Sequence, residues 1–154
     1  MKIRSHDQEI MGDLLDHLKN STEVTEVPVA AAVYAQDLNQ ISVAQNLREL
    51  TSDPSAHAEI GALRKAGQIN SNWNLEGFSL YVTLEPCLMC AGAILQSKIS
   101  RVVFGAFNPE TTSQSSVELL RNGNPQLEVV GGVNEEECST FLTQWFSEQR
   151  KIKR

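Results

Sequence analysis

Phe78-Ser79-Leu80-Tyr81-Val82-Thr83-Leu84-Glu85-Pro86-Cys87-Leu88-Met89-Cys90-Ala91-Gly92-Ala93-Ile94 changes character half-way along. Residues 78–84 are rich in aromatic and β-branched side chains, the composition of a central strand. Pro86 then suits the first turn of a helix, where its missing N–H leaves nothing unpaired. The stretch predicts a strand that hands over directly to a helix, the helix running over residues 86–97.

The same pattern repeats outward in both directions. Arg101-Val102-Val103-Phe104-Gly105-Ala106 reads as the next strand, followed by a polar loop over 108–116, a short helix over 117–120 and a strand over 127–130. Cys138, Phe141, Leu142, Trp145 and Phe146 fall on one stripe of a final helix, which makes Cys138 and Trp145 core residues. On the other side, Ile10, Met11, Leu14, Leu15 and Leu18 give an amphipathic helix over 6–19, with His6 and His17 on its surface. Residues 28–34 and 41–45 read as two strands joined by a turn at 37–40. Ser52-Asp53-Pro54-Ser55 offers capping residues for a helix that Gly67 stops. The resulting order, αββαβαβαβα, favours a layered α/β fold with helices on both faces of one sheet. With no repeat and no linker, residues 1–154 read as a single domain.

Composition narrows the function. The chain has 154 residues, 41% hydrophobic and 21% charged, as soluble globular domains do. Its longest apolar run, about 27–35, is far short of the ~20 residues of a membrane helix, and the first residues lack a secretory signal. A cytoplasmic location is therefore expected. A net charge of −6 opposes general nucleic-acid binding. Arg150, Lys151, Lys153 and Arg154 nevertheless cluster at the C-terminus, as either a solvated helix end or an arm that contacts phosphates.

Two short segments carry the chemistry. His57-Ala58-Glu59 and Pro86-Cys87-Leu88-Met89-Cys90 together offer one imidazole and two thiolates. Zinc takes such ligands in tetrahedral geometry, and three protein ligands leave a fourth position for water. Cys87 and Cys90 are one helical turn apart and sit at a helix start, where the dipole favours thiolates. Glu59, two residues from His57, does not share its face. It is better placed to move a proton beside the metal than to bind the metal itself. A Cys-x-x-Cys alone also fits a redox pair. The combination with His-x-Glu matches the pattern of zinc nucleobase deaminases, for which a bacterial tRNA adenosine deaminase is a known example.

The chain resembles the bacterial tRNA-specific adenosine deaminases. The matching text includes Glu26-Val27-Pro28-Val29, Asn46, Asp53-Pro54-Ser55-Ala56-His57-Ala58-Glu59-Ile60, residues 80–94, Ser97-Lys98-Ile99, residues 101–106 and Glu136-Glu137-Cys138. The resemblance implies a cytidine-deaminase-like α/β/α sandwich around a five-stranded mixed sheet, and a homodimer. It also implies conversion of adenosine to inosine at the wobble position, with the tRNA anticodon stem-loop as partner. One Zn2+ per subunit would be held by His57, Cys87 and Cys90, with Glu59 as proton shuttle. Asn46 and Ala58 would meet the base, and Asn108, Arg150 and Lys151 the RNA.

The chain departs from the family pattern at four places. Asn108 replaces an aspartate, Glu110 a lysine, Ala30 a glycine and Pro125 a histidine. None belongs to the zinc set, and all bear on the substrate. Two alternatives follow: a deaminase of a free nucleobase or nucleoside, of guanine or cytosine type, and a non-catalytic, zinc-stabilised subunit.

Overall fold

The computed structural model describes residues 2–21, 25–109 and 115–153. Along these residues the elements are α1 (Ser5–Lys19), β1 (Ala30–Tyr34), β2 (Gln40–Gln45), α2 (Arg48–Thr51), α3 (Ala58–Asn70), β3 (Ser79–Leu84), α4 (Leu88–Ser97), β4 (Arg101–Ala106), α5 (Ser116–Gly123), β5 (Glu128–Val130) and α6 (Glu135–Ile152). The order is the expected one with α2 added.

The five strands form one mixed sheet in the order β2-β1-β3-β4-β5. β1 is antiparallel to β2 and β3, whereas β3, β4 and β5 are parallel. Parallel neighbours need a crossover, which α4 and α5 supply. β1 and β4 are buried along their whole length, as continuous apolar runs require when both sheet faces are covered. One core packs Ala58, Ala62 and Ala66 of α3, Ala91 and Ile94 of α4 and Leu120 of α5 on one face of the sheet. The other packs the α1 stripe and Cys138 of α6 on the opposite face. The result is the expected three-layer α/β/α sandwich. Gly105 makes the second packing possible: a Cβ there would collide with the Cys138 sulfur and with the Thr83 carbonyl.

Five expectations are corrected. The helix expected from residue 52 starts at Ala58, because Asp53 Oδ1 accepts from Ser55 N–H (2.8 Å) and Ser55 Oγ (2.7 Å) and closes a local turn instead. That helix runs past Gly67 to Asn70 and is capped by Ser71, whose φ is 53°. The short helix near 117 extends over Ser116–Gly123, with Ser115 Oγ accepting from Glu118 N–H at 3.1 Å. On α6 only Cys138 is buried: Trp145 is half-buried and Phe146 is 42% exposed, so the stripe does not serve one core. Most of the 108–116 loop, including Glu110, lies outside the described residues. His6 is half-buried rather than superficial, with Nε2 3.6 Å from Asp7 Oδ1.

Candidate metal centre and active site

Both chemical segments sit where the chain enters a helix. His57 is the N-cap of α3 and Cys87 the N-cap of α4, each in extended conformation. Pro86 therefore precedes the helix rather than opening it. Cys90 lies three residues beyond its N-cap, so it returns to the same side as Cys87. α3 and α4 pack side by side on one face of the sheet, which brings the two helix starts together. His57 Nδ1 is 3.6 Å from Cys87 Sγ and 3.4 Å from Cys90 Sγ. The three donor atoms lie within 4.8 Å of one another and are positioned to bind a metal ion. Cys138, on the far face of the sheet, is not part of this group.

The site opens into a cavity of about 270 Å³ at the carboxyl ends of β3 and β4. Its polar lining includes His57, Glu59 and Cys87 with Ala58 between the first two, together with Asn46, Arg48, Glu85 and Asn108. Val27, Val29, Leu84, Leu142 and Phe146 complete an apolar wall. The cavity thus gathers most of the residues singled out from the sequence. Arg150 stands apart, in an adjoining groove of about 690 Å³ that shares Val27 and Phe146 with the cavity and also holds Trp145 and Lys153. The rings of Trp145 and Phe146 meet edge to face there, with centroids 5.1 Å apart. Lys151 is exposed and lines neither space.

Arg48, Glu85, Leu142 and Phe146 join the site without having been expected there. Leu142 and Phe146 are one helical turn apart on α6, a spacing visible in the sequence but equally suited to core packing. Glu85 is buried, accepting from Asn108 N–H and from Ser116 Oγ, each at 3.1 Å, so it joins both described flanks of the 110–114 segment. Nothing in the sequence distinguishes it from a surface glutamate.

Burial and mutual hydrogen bonding shift each ionisable group of this cluster. The Cys87 thiol is held down at about 4 by hydrogen bonds from Cys90 and His57, against the opposing effect of burial. Cys90 is pushed upward by the same sharing with Cys87 and by burial. His57 is raised, chiefly by its hydrogen bond to Cys87. Glu59 is 4% exposed, and burial raises its carboxyl despite the nearby imidazole. Asn46 is buried, with Nδ2 donating to the Val27 carbonyl and Oδ1 accepting from Arg48 N–H, both at 3.3 Å.

Residues 5–137 match the MafB19-like deaminase family. The chain is 42% identical to the tRNA-specific adenosine deaminase of Bacillus subtilis, over 97% of this chain and 94% of that protein. It is 41% identical to the protein of the same name from Haemophilus influenzae, over 99% and 91%. The chain belongs to the tRNA-specific adenosine deaminases. Its fold agrees with theirs: a solved tRNA:A34 deaminase, studied for A-to-I editing at the wobble position, superposes with a TM-score of 0.73 at 33% identity, over 89% of this chain and 99% of that one. Members of this family are enzymes, and the reaction class is deamination. Among the described residues no helix is long and apolar enough to cross a membrane.

Proposed function

We propose that this chain hydrolyses adenosine to inosine at the wobble position of tRNA, using one zinc ion per subunit. One observation carries the reading: His57 Nδ1, Cys87 Sγ and Cys90 Sγ converge, with the Glu59 carboxylate buried beside them in the same cavity as Asn46. A tetrahedral site with ordinary zinc–nitrogen and zinc–sulfur bonds has an N···S edge of about 3.6 Å. The distances of 3.6 and 3.4 Å fit that edge. When bound, zinc supplies Lewis acidity that brings the pKa of a water towards ~7.

The protein's own groups do the rest. Glu59 takes a proton from the attacking water, passes it to the purine ring and delivers a second to the departing amine. A C–O bond forms at the purine C6 and the C–N bond breaks, so ammonia leaves with both protons accounted for. The first N–H groups of α3 lie outside its hydrogen-bond ladder, so Ala58 can offer a backbone donor to the base. Asn46 reaches the purine by exchanging its two 3.3 Å contacts. Asn108, at the cavity rim, and the α6 end with Arg150 and Lys151 meet the anticodon stem-loop. The active form is a cytoplasmic homodimer of single-domain subunits.

The test is inosine formation and ammonia release on an anticodon stem-loop with adenosine at the wobble site, beside adenosine, cytidine, guanine and cytosine. Turnover of the stem-loop and not of the free compounds is expected. The net charge of −6 and Glu110, which stands where the family pattern has a lysine, favour a second reading, turnover of a free base. In that case activity would hardly respond to salt, whereas RNA binding weakens steeply as salt rises.

A further inference from the structure

Glu26 has no part in the chemistry above, yet it is 3% exposed and reaches into the structure behind the cavity wall. Its Oε1 accepts from the backbone N–H of Glu49 (2.6 Å) and of Leu50 (3.0 Å). These are the second and third positions of α2, the donors that an N-cap side chain normally serves. The N-cap of α2 is Leu47, which has no such side chain. The cap is thus supplied from 23 residues away. What α2 carries explains the arrangement. Asn46 and Arg48 line the cavity, and Leu47 N–H donates to the Ala56 carbonyl at 3.0 Å, one residue before His57.

A second, independent observation concerns the other oxygen. Glu26 Oε2 is buried without a hydrogen-bond partner among the described residues. Such groups are rare and call for a partner. Glu26 lines a cavity of about 20 Å³ together with Ser21, Gln45 and Asn46. One water needs roughly 10–15 Å³ and two or more polar neighbours.

We infer that Glu26 is a positioning residue for the substrate wall, seating α2 with one carboxylate oxygen and an ordered water with the other. The water donates to Oε2 and meets the polar side chains of the β2 end. The effect on substrate rests on the deaminase reading; the seating does not.

The experiment compares the wild type, Glu26→Ala and Glu26→Gln. Losing one helix cap predicts about a tenfold rise in KM for the stem-loop in Glu26→Ala, with kcat within about threefold. Zinc content should be unchanged. Glu26→Gln keeps an acceptor for both N–H groups and a donor for the water, so its KM should return to near the wild-type value. Crystal structures should show one ordered water at Oε2 in the wild type, and α2 displaced in Glu26→Ala. An unchanged KM in folded Glu26→Ala, a Gln variant as impaired as the Ala variant, or wild-type density without the water would overturn the inference. If Glu26→Ala does not fold, the Gln variant and the wild-type water still decide it. A wild type that turns over no stem-loop would sink the proposed function instead, leaving the crystallographic comparison to judge the seating of α2.

Discussion

The two ends of β4 bury charge in opposite ways. At its start, Arg101 holds Asp7 through two contacts of 2.7 and 2.8 Å, while Tyr81 donates to Asp7 at 2.7 Å and Glu128 flanks the guanidinium at 3.1 Å. Burial alone would raise the Asp7 carboxyl, but Arg101, the Arg4 N–H and Tyr81 together hold it at about 2. At the other end, beyond Ala106, burial raises the Glu59 carboxyl, and the Cys87 and Cys90 thiols lie 3.6 and 3.4 Å from the His57 imidazole. The first cluster carries its own counter-charge. The second gathers an imidazole and two thiols positioned to bind a metal ion. Buried ionisable groups thus mark a structural clamp where their partners are built in and a candidate working site where they are not.

Substitutions at the two ends should separate cleanly. Glu59→Ala removes a proton carrier, and kcat for inosine formation should fall by about 10²–10⁴. Its zinc content and thermal midpoint should stay level; a drop in both would mean that Glu59 is a clamp like Asp7. Asp7→Ala leaves Arg101 buried without its main partner, at a cost of about 3–5 kcal/mol in denaturant unfolding. Activity per folded molecule should change little.

The clamp also has a pH signature. The Asp7 carboxyl sits at about 2 in the fold against an ordinary 3.8, so in that interval the unfolded chain binds more protons. Its contribution, about 2 kcal/mol, is fully present above pH ~4 and disappears as pH falls through ~2. The stability difference between wild type and Asp7→Asn should shrink over that window, and a flat difference would mean that Asp7 is no clamp. The smallest effect belongs to the α6 end. Arg150→Ala with Lys151→Ala should reduce the salt slope of stem-loop binding by about 1–2, one unit for each phosphate no longer neutralised. An unchanged slope would make that end a solvated terminus.

Which parts were legible in the sequence follows from the range of each interaction. The α1 stripe, the β3–α4 handover and the alternation of strands and helices depend on neighbours within one or two turns, so their pattern is local. The same holds for His57-Ala58-Glu59 and Cys87-Leu88-Met89-Cys90, whose residue types have few other reasons to occur together. Glu26 and Glu85 act on backbone groups more than twenty residues away, and no local pattern announces them. α2 was invisible because its cap is remote and it is only one turn long. The α6 stripe divides: Cys138 and Phe141 pack on the sheet as expected, whereas Leu142 and Phe146 are apolar because they wall a cavity.

The central claim is that three side chains from two helix starts hold one ion. Metal analysis of the purified wild type beside Cys87→Ala and Glu59→Ala tests it directly. One zinc per chain is expected in the wild type and in Glu59→Ala, with loss of that zinc in Cys87→Ala. Substoichiometric metal in active wild type, or full zinc retention in Cys87→Ala, would contradict it.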